Sequence, residues 1–274
     1  MADERRRWIY RYSAVLRGTH WVNVLCLAIL VMSGLQIFNA HPALYWGEDS
    51  DFERPILSIA TSFTAEGRPI GVTRLFGMSF DTTGVLGRSR FNDRPVQRAF
   101  PAWSTIPSAQ DLATGRVWHL FFAWIFTING TLYLVYSIVT RHIFSDLLPR
   151  REQWKHIGST VREHLLLTFR KGVDADYNII QRVSYVVVIL VLAPLMVLTG
   201  LTMSPAVDAA APWLLDVFGG RQSARTLHFV TTWLLVLFVF VHVAMVLLSG
   251  VLNNVRSMIT GWYSVAREAG HGQP

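Results

Sequence analysis

Four long apolar segments constrain the fold of this chain more than any other feature of its sequence. A helix needs about 20 apolar residues to cross the hydrocarbon core of a bilayer. Segments of this length cover about residues 16–38, 117–139, 179–201 and 227–251. The chain is also 51% hydrophobic and only 16% charged, a composition typical of membrane proteins. We therefore predict an all-α fold, an integral membrane four-helix bundle with a long external loop between helices 1 and 2.

Positive charge is distributed unequally among the connections between these segments. Five arginines lie before or at the start of the first segment and seven Lys or Arg residues lie in residues 140–177, whereas residues 202–224 contain only Arg221. Cytoplasmic connections carry the excess of Lys and Arg. We expect a multi-pass protein of the bacterial inner (cytoplasmic) membrane, with both termini and the connection 140–177 cytoplasmic and the insertion 39–115 external. The net charge of +7 then reflects topology and predicts no nucleic-acid partner.

Outside the spans, one further helix is predicted. Residues Lys155–Phe169 have an amphipathic pattern, which is typical of a helix lying at a membrane surface. The whole chain, residues 1–274, is expected to form a single membrane domain.

Two histidines on the last apolar segment, His228 and His242, lie fourteen residues apart. That spacing corresponds to about 21 Å and nearly four helical turns, so both imidazoles face one side at two depths. An imidazole is costly in hydrocarbon unless something binds it, and haem iron is one such partner. The spacing therefore favours two haems that share one helix. The single cysteine, Cys26, excludes covalent Cys-x-x-Cys-His attachment and cysteine-ligated iron–sulfur clusters.

Depth pairs these histidines with two others. The first segment starts inside with His20 near its beginning, and the second starts outside with His119 near its beginning. His119 therefore pairs with His228 at an outer haem, and His20 pairs with His242 at an inner haem. Two bis-histidine b-type haems are predicted, because two clear ligands at each level are too few for zinc. Each histidine taken alone could instead hydrogen-bond to a neighbouring helix.

An arginine precedes three of the four histidines by three residues, as Arg17–His20, Arg116–His119 and Arg225–His228. A spacing of three keeps both side chains on one helix face, and arginine suits a carboxylate such as a haem propionate. Alternatively, these arginines only mark topology and reach the lipid headgroups. That alternative explains Arg17 well, but it explains Arg116 and Arg225 less well because they lie on the outer side.

A short internal repeat also links the first and third segments. The sequences Val31–Leu35 and Val197–Leu201 both carry a glycine near the external end of an outward-going helix, Gly34 and Gly200. A glycine at such a place lets a flat macrocycle or a neighbouring helix approach the backbone.

One histidine on each of the first two segments and His-x13-His on the fourth resemble the di-haem cytochrome b subunits of formate dehydrogenases and nickel–iron hydrogenases. The resemblance covers all four segments and implies the same ligand pairing. It also implies an electron-transfer subunit of an oxidoreductase complex, which anchors an external catalytic subunit and passes electrons through two haems to a membrane quinone near the cytoplasmic face.

Two further stretches resemble known cytochromes. Tyr177, Asn178 and Gln181 match the Tyr-Asn-x-x-Gln stretch of the formate dehydrogenase subunit, although Ile180 stands where that subunit has glycine. The match implies that Asn178 binds a quinone carbonyl and that Tyr177 and Gln181 line the site. Alternatively, Asn178 only caps the helix. The stretch from Phe100 to the second segment is similar to cytochromes associated with periplasmic molybdopterin oxidoreductases, which implies a molybdopterin-containing partner.

Two rival functions stay open at this point. One is a stand-alone four-helix cytochrome b that oxidises quinol and reacts with a small diffusible oxidant. The other is a non-redox membrane protein with structural histidines. The long external loop favours a protein partner over the first rival.

Overall fold

The computed structural model describes residues 7–149, 158 and 179–265. In chain order its elements are β1 (Arg7–Tyr10), α1 (Ala14–Phe38), β2 (Ala43–Leu44), β3 (Leu57–Phe63), β4 (Pro69–Leu75), β5 (Met78–Asp81), β6 (Gly87–Phe91), β7 (Arg94–Arg98), α2 (Leu112–Val139), α3 (Ile179–Thr202), α4 (Pro205–Ala210), α5 (Trp213–Val217), α6 (Arg221–Leu248), α7 (Val251–Thr260) and β8 (Trp262–Val265). The helix predicted over Lys155–Phe169 and most of the connection before α3 lie outside the described residues.

The helices α1, α2, α3 and α6 are each long and apolar enough to cross a membrane. Large apolar side chains stand exposed along them, such as Leu25 at 56%, Phe121 at 61% and Phe240 at 74%. Exposed apolar surface of this extent marks contact with another apolar phase. Length, composition and exposure together describe an integral membrane protein.

The prediction of an all-α fold is wrong. Strands make up 17% of the structure beside 59% helix. The insertion between α1 and α2 forms an antiparallel sheet in the order β2-β3-β4-β5 and a separate hairpin of β6 and β7. A further pair, β1 with β8, joins segments near the two ends of the chain.

The strands of the insertion follow from short-range signals in its sequence. Phe76 and Gly77 both have positive φ, 49° and 81°, and so do Asn92 and Asp93, at 48° and 59°. Two successive residues with positive φ are typical of the two-residue turns that close β-hairpins. Each such pair here connects two antiparallel strands. These strands are four to seven residues long, so a search for segments of spanning length does not detect them.

The described chain falls into two compact units. The insertion unit comprises Asn23–Ile128 and Ala193–Trp233, and the termini unit comprises the described residues of Met1–Val22, Asn129–Leu192 and Leu234–Pro274.

In the insertion unit, the sheet packs on the end of α1. Leu35 and Phe38 from α1 form one buried cluster with Leu44, Ile59 and Phe100 of the insertion. Burial of side chains of this size stabilises the unit by about 1.5–3 kcal/mol each. This apolar cluster fixes the insertion over the end of the helix.

A buried arginine completes the attachment of the insertion. Arg98 is 4% exposed, and it donates hydrogen bonds to the carbonyls of Phe100 at 2.6 Å and Ser108 at 2.8 Å and to the Thr105 hydroxyl at 2.9 Å. A buried charge is tolerated only when its donors are satisfied in this way.

In the termini unit, β1 and β8 pair from Arg7↔Val265 to Tyr10↔Trp262. The rings of Tyr10 and Trp262 meet edge to face with centroids 5.3 Å apart. Within the same unit, the Asn129 side chain of α2 donates to the main-chain carbonyl of Thr19 in α1 at 2.9 Å. This bond joins α1 and α2 one residue from His20.

Candidate haem sites

The structure brings the four predicted ligand histidines together as two pairs. In the insertion unit, the ring centroids of His119 and His228 lie 6.3 Å apart. In the termini unit, those of His20 and His242 lie 6.5 Å apart. These are the same pairs that depth along the four apolar segments predicts.

The separations suit two imidazoles that share one metal atom. A metal–imidazole bond of about 2 Å and a distance of about 1.2 Å from ring centre to nitrogen give about 6.4 Å between two in-line rings. Ring pairs in direct contact also lie about 4.5–7 Å apart. The hydrogen bonds of the ring nitrogens are therefore needed to distinguish a shared metal from direct ring contact. Within the described ranges, no group of three or more His, Cys, Asp or Glu side chains gathers as an ordinary metal site requires.

The hydrogen bonds of Ser33 define the tautomer of His119. The Ser33 hydroxyl donates to the Ile29 carbonyl at 2.7 Å, and its oxygen lies 3.0 Å from Nδ1 of His119. A hydroxyl has one proton, so the proton of the second bond belongs to the histidine. His119 therefore carries its proton on Nδ1, and Nε2 keeps the lone pair that a metal needs.

Thr199 arranges His228 in the same way. Its hydroxyl donates to the Leu195 carbonyl at 2.7 Å, and its oxygen lies 3.1 Å from Nδ1 of His228. By the same count of protons, His228 donates from Nδ1. Ligating histidines characteristically donate their second ring nitrogen to an oxygen, so both side chains of this pair fit haem ligation.

The short repeat of the first and third segments creates the space for these two rings. A β-carbon at Gly34 would stand 3.3 Å from Cε1 of His119, and one at Gly200 would stand 3.3 Å from Cε1 of His228. The group that approaches each glycine is thus a histidine ring of a neighbouring helix. Ser33 and Thr199 were not predicted, although the signal was present: each directly precedes a glycine of the repeat.

The pair of the termini unit has different surroundings. His242 stacks on Phe238 at 5.7 Å and meets Tyr185 edge to face at 6.3 Å. Nδ1 of His20 is buried without a hydrogen-bond partner in the parts of the chain that the structure describes. The fit of this site to a bound metal rests on the 6.5 Å separation of the two rings, because a metal at Nε2 would leave Nδ1 of His20 without a partner.

The three predicted propionate ligands occupy three environments. Arg17 donates to the Ile259 carbonyl, and Arg225 donates to the carbonyls of His41 and, at 2.9 Å, Ala43. Arg116 is exposed to the surroundings. Arg17 and Arg225 therefore fasten distant parts of the chain beside the histidine pairs, a role that sequence reasoning missed.

His41 extends this network outside the spans. Its ring lies against Tyr45 at 5.7 Å and Phe52 at 5.9 Å. Burial, and secondly the positive charge of Arg225, lower the pKa of His41 below its usual value.

Of the predicted quinone ligands, only Gln181 belongs to the described residues. It lies in the first turn of α3 and is partly exposed, whereas Tyr177 and Asn178 lie outside the described residues. The adjacent Arg182 is fully buried and donates to the Leu148 carbonyl at 3.2 Å. This bond attaches the start of α3 to the segment that follows α2.

Comparison with known proteins gives the same family as the histidine pattern. Residues 11–261 match the family described as prokaryotic cytochrome b561. Among similar proteins, the "Putative protein-methionine-sulfoxide reductase subunit YedZ1" of Azospira oryzae is 26% identical over 233 residues, which cover 85% of this chain and 88% of the relative. No solved structure matches.

Two hydrogenase subunits are similar over a greater length. The "Probable Ni/Fe-hydrogenase B-type cytochrome subunit" of Cupriavidus necator is 25% identical over 268 residues, covering 92% of this chain and 86% of the relative. The protein of the same name in Bradyrhizobium diazoefficiens is 22% identical over 270 residues, covering 93% and 86%. The predicted relationship to hydrogenase cytochrome b subunits is thus confirmed. This chain belongs to the prokaryotic cytochrome b561 family, a family of membrane electron-transfer proteins that bind b-type haem.

Proposed function

We propose that this chain carries electrons between an external catalytic subunit and the membrane quinone pool through two b-type haems. His119 and His228 hold the outer haem, and His20 and His242 hold the inner haem. The observation that carries the proposal is the presence of two histidine pairs, each with one member on α6 and each at the separation of two ligands on one metal.

The bound haems supply one-electron oxidation and reduction of iron, and the polypeptide positions them. α6 contributes one ligand to each haem, His228 to the outer haem and His242 to the inner haem. In this proposal Arg116, which is exposed, binds a propionate of the outer haem. Arg17 and Arg225 bind propionates through the guanidinium N–H groups that do not donate to main-chain carbonyls.

The proposed partner is an external oxidoreductase. Relatives of this chain carry the names of subunits of a protein-methionine-sulfoxide reductase and of a nickel–iron hydrogenase, and a subunit of such a complex requires a partner. A molybdopterin-containing partner is favoured by the stretch before α2 that resembles cytochromes of such enzymes. The folded sheet of the insertion offers this partner a fixed external surface.

Quinone binds near the inner haem in this proposal, at Asn178 with Tyr177 and Gln181. The protein lies in the bacterial inner membrane as one di-haem domain with both termini cytoplasmic. An electron that crosses inward moves against the membrane potential, which costs about 2.3 kcal/mol per 100 mV for a full crossing. The free energy released by electron transfer from the partner to quinone must exceed that cost. Otherwise electrons move outward, from quinol to the partner.

Extraction in mild detergent, followed by mixing with reduced quinone, tests this proposal. We expect a second, catalytic subunit to co-purify and the haems to be reduced by quinol. Substituting Asn178→Ala or Gln181→Ala should slow that reduction at least tenfold, while His41→Gln, outside the spans, should leave it unchanged. A chain that purifies alone and exchanges no electrons with quinol would overturn the proposal. A chain that purifies alone but is still reduced by quinol would instead support a stand-alone cytochrome.

A further inference from the structure

We infer that Ser33 and Thr199 are positioning residues that lower the reduction potential of the outer haem by accepting hydrogen bonds from its two ligands. This inference rests on the proposed function, because it requires a haem between His119 and His228. It adds two hydroxyl groups that act on the iron through the imidazoles.

Both hydroxyls are held in one orientation. Ser33 and Thr199 are completely buried, and each donates its only proton to the carbonyl four residues earlier in its own helix at 2.7 Å. Each oxygen can therefore serve Nδ1 of its histidine only as an acceptor. Water has no access to exchange these partners.

Each histidine ring meets a hydroxyl at Nδ1 and a glycine at Cε1. These two contacts restrict the rotation of the ring.

These bonds have a definite electronic effect. An acceptor at Nδ1–H increases the basicity of the imidazole and strengthens its donation to the metal through Nε2. Stronger donation favours ferric over ferrous iron, and hydrogen bonding near the ligands is one of the means by which a protein sets a haem potential. Since both ligands of the outer haem have such an acceptor, both bonds shift the potential in the same direction.

The inner pair lacks one of these bonds. Nδ1 of His20 is buried with no acceptor among the residues that the structure describes. Changes at Ser33 and Thr199 should therefore affect one haem and leave the other unchanged.

A purely structural role is the competing explanation, because buried Ser and Thr often bond back to the carbonyl four residues earlier in membrane helices. Thr202 provides a matched control. It is also completely buried in α3, and it donates to the Thr199 carbonyl at 2.7 Å. Its replacement perturbs the same helix without removing the acceptor of His228.

The test is a spectroscopic redox titration of the purified holoprotein, with His242→Ala used to identify the wave of the outer haem. We expect Ser33→Ala and Thr199→Val each to raise the midpoint potential of the outer haem, and the double variant to raise it further, while the inner haem stays unchanged. Thr199→Ser should restore the wild-type value, and Thr202→Val should not shift it. The iron–imidazole stretching frequency of the outer haem should fall in Ser33→Ala and in Thr199→Val.

Two results would overturn the inference: an outer potential that is unchanged in the variants, or a shift with Thr202→Val as large as that with Thr199→Val. If the double variant fails to fold, the nearly isosteric Thr199→Val decides alone. The failure of the proposed function is distinguishable, because it appears in the wild-type protein, as fewer than two haems or as no electron exchange with quinol. Two bound haems with an unmoved outer potential would contradict only the role of the hydroxyls.

Discussion

Gly34 faces the ring of His119 so closely that a β-carbon would stand 3.3 Å from Cε1. Gly200 has the same relationship to His228, at the same distance. Both rings are also held at Nδ1 by a hydroxyl of the adjacent residue, so neither ring can move away without breaking that bond.

Gly34→Ala should therefore weaken binding of the outer haem, and Gly34→Val should abolish it. Overpacking of this kind costs about 1–3 kcal/mol. The haem-to-protein ratio of the purified variant measures the effect. Gly130→Ala is the control, since a β-carbon at Gly130 has no neighbour within 4 Å, and it should retain both haems. Full occupancy of both haems in Gly34→Val would contradict the packing described here.

Arg225→Met should loosen the start of the insertion. The guanidinium donates to the carbonyls of His41 and Ala43, and a hydrogen bond to a charged group contributes about 1.5–3 kcal/mol. We expect faster amide exchange and faster proteolysis around residues 40–45. Arg54→Gln removes an exposed pair with Asp51, and such a pair contributes about 0–1 kcal/mol. If both variants were cleaved at the same rate, Arg225 would not hold this segment.

The stability of the insertion should fall in mild acid because of His41. Its pKa is lowered in the folded protein by burial and by Arg225, so the unfolded chain binds the proton more tightly. The stabilising contribution is complete above the unfolded pKa of about 6.5 and is lost as the pH falls through the lower folded pKa.

Melting curves between pH 8 and pH 5 test this expectation. The wild-type protein should lose more stability over that range than His41→Gln, which cannot titrate there. If both proteins lost the same stability between pH 8 and pH 5, protonation of His41 would not be the cause.

The sequence predicted what local composition and helical periodicity determine. Segments of spanning length stand out by hydropathy, and the depth of His20, His119, His228 and His242 follows from the direction of each segment. That reasoning did not detect the strands of the insertion, since side chains alternate along a strand and each strand is much shorter than a membrane span.

Long-range polar partners could not be read from the sequence. The Arg225 side chain bonds to a carbonyl 184 residues earlier in the chain, and Arg98 is buried among carbonyls of its own loop. The choice of such partners depends on tertiary packing. Ser33 and Thr199 are an intermediate case, because their place beside Gly34 and Gly200 was visible but the direction of their hydroxyls was not.

The central claim is that the chain binds two b-type haems at separate histidine pairs. Haem content and reduced-minus-oxidised absorbance in the α-band region, measured on the wild-type protein and on His119→Ala and His242→Ala, test it most directly. The account predicts two haems per wild-type chain and one in each variant, with the remaining haem differing between the two variants in spectrum or potential. Two haems retained in both variants, or no haem in the wild-type protein, would contradict it.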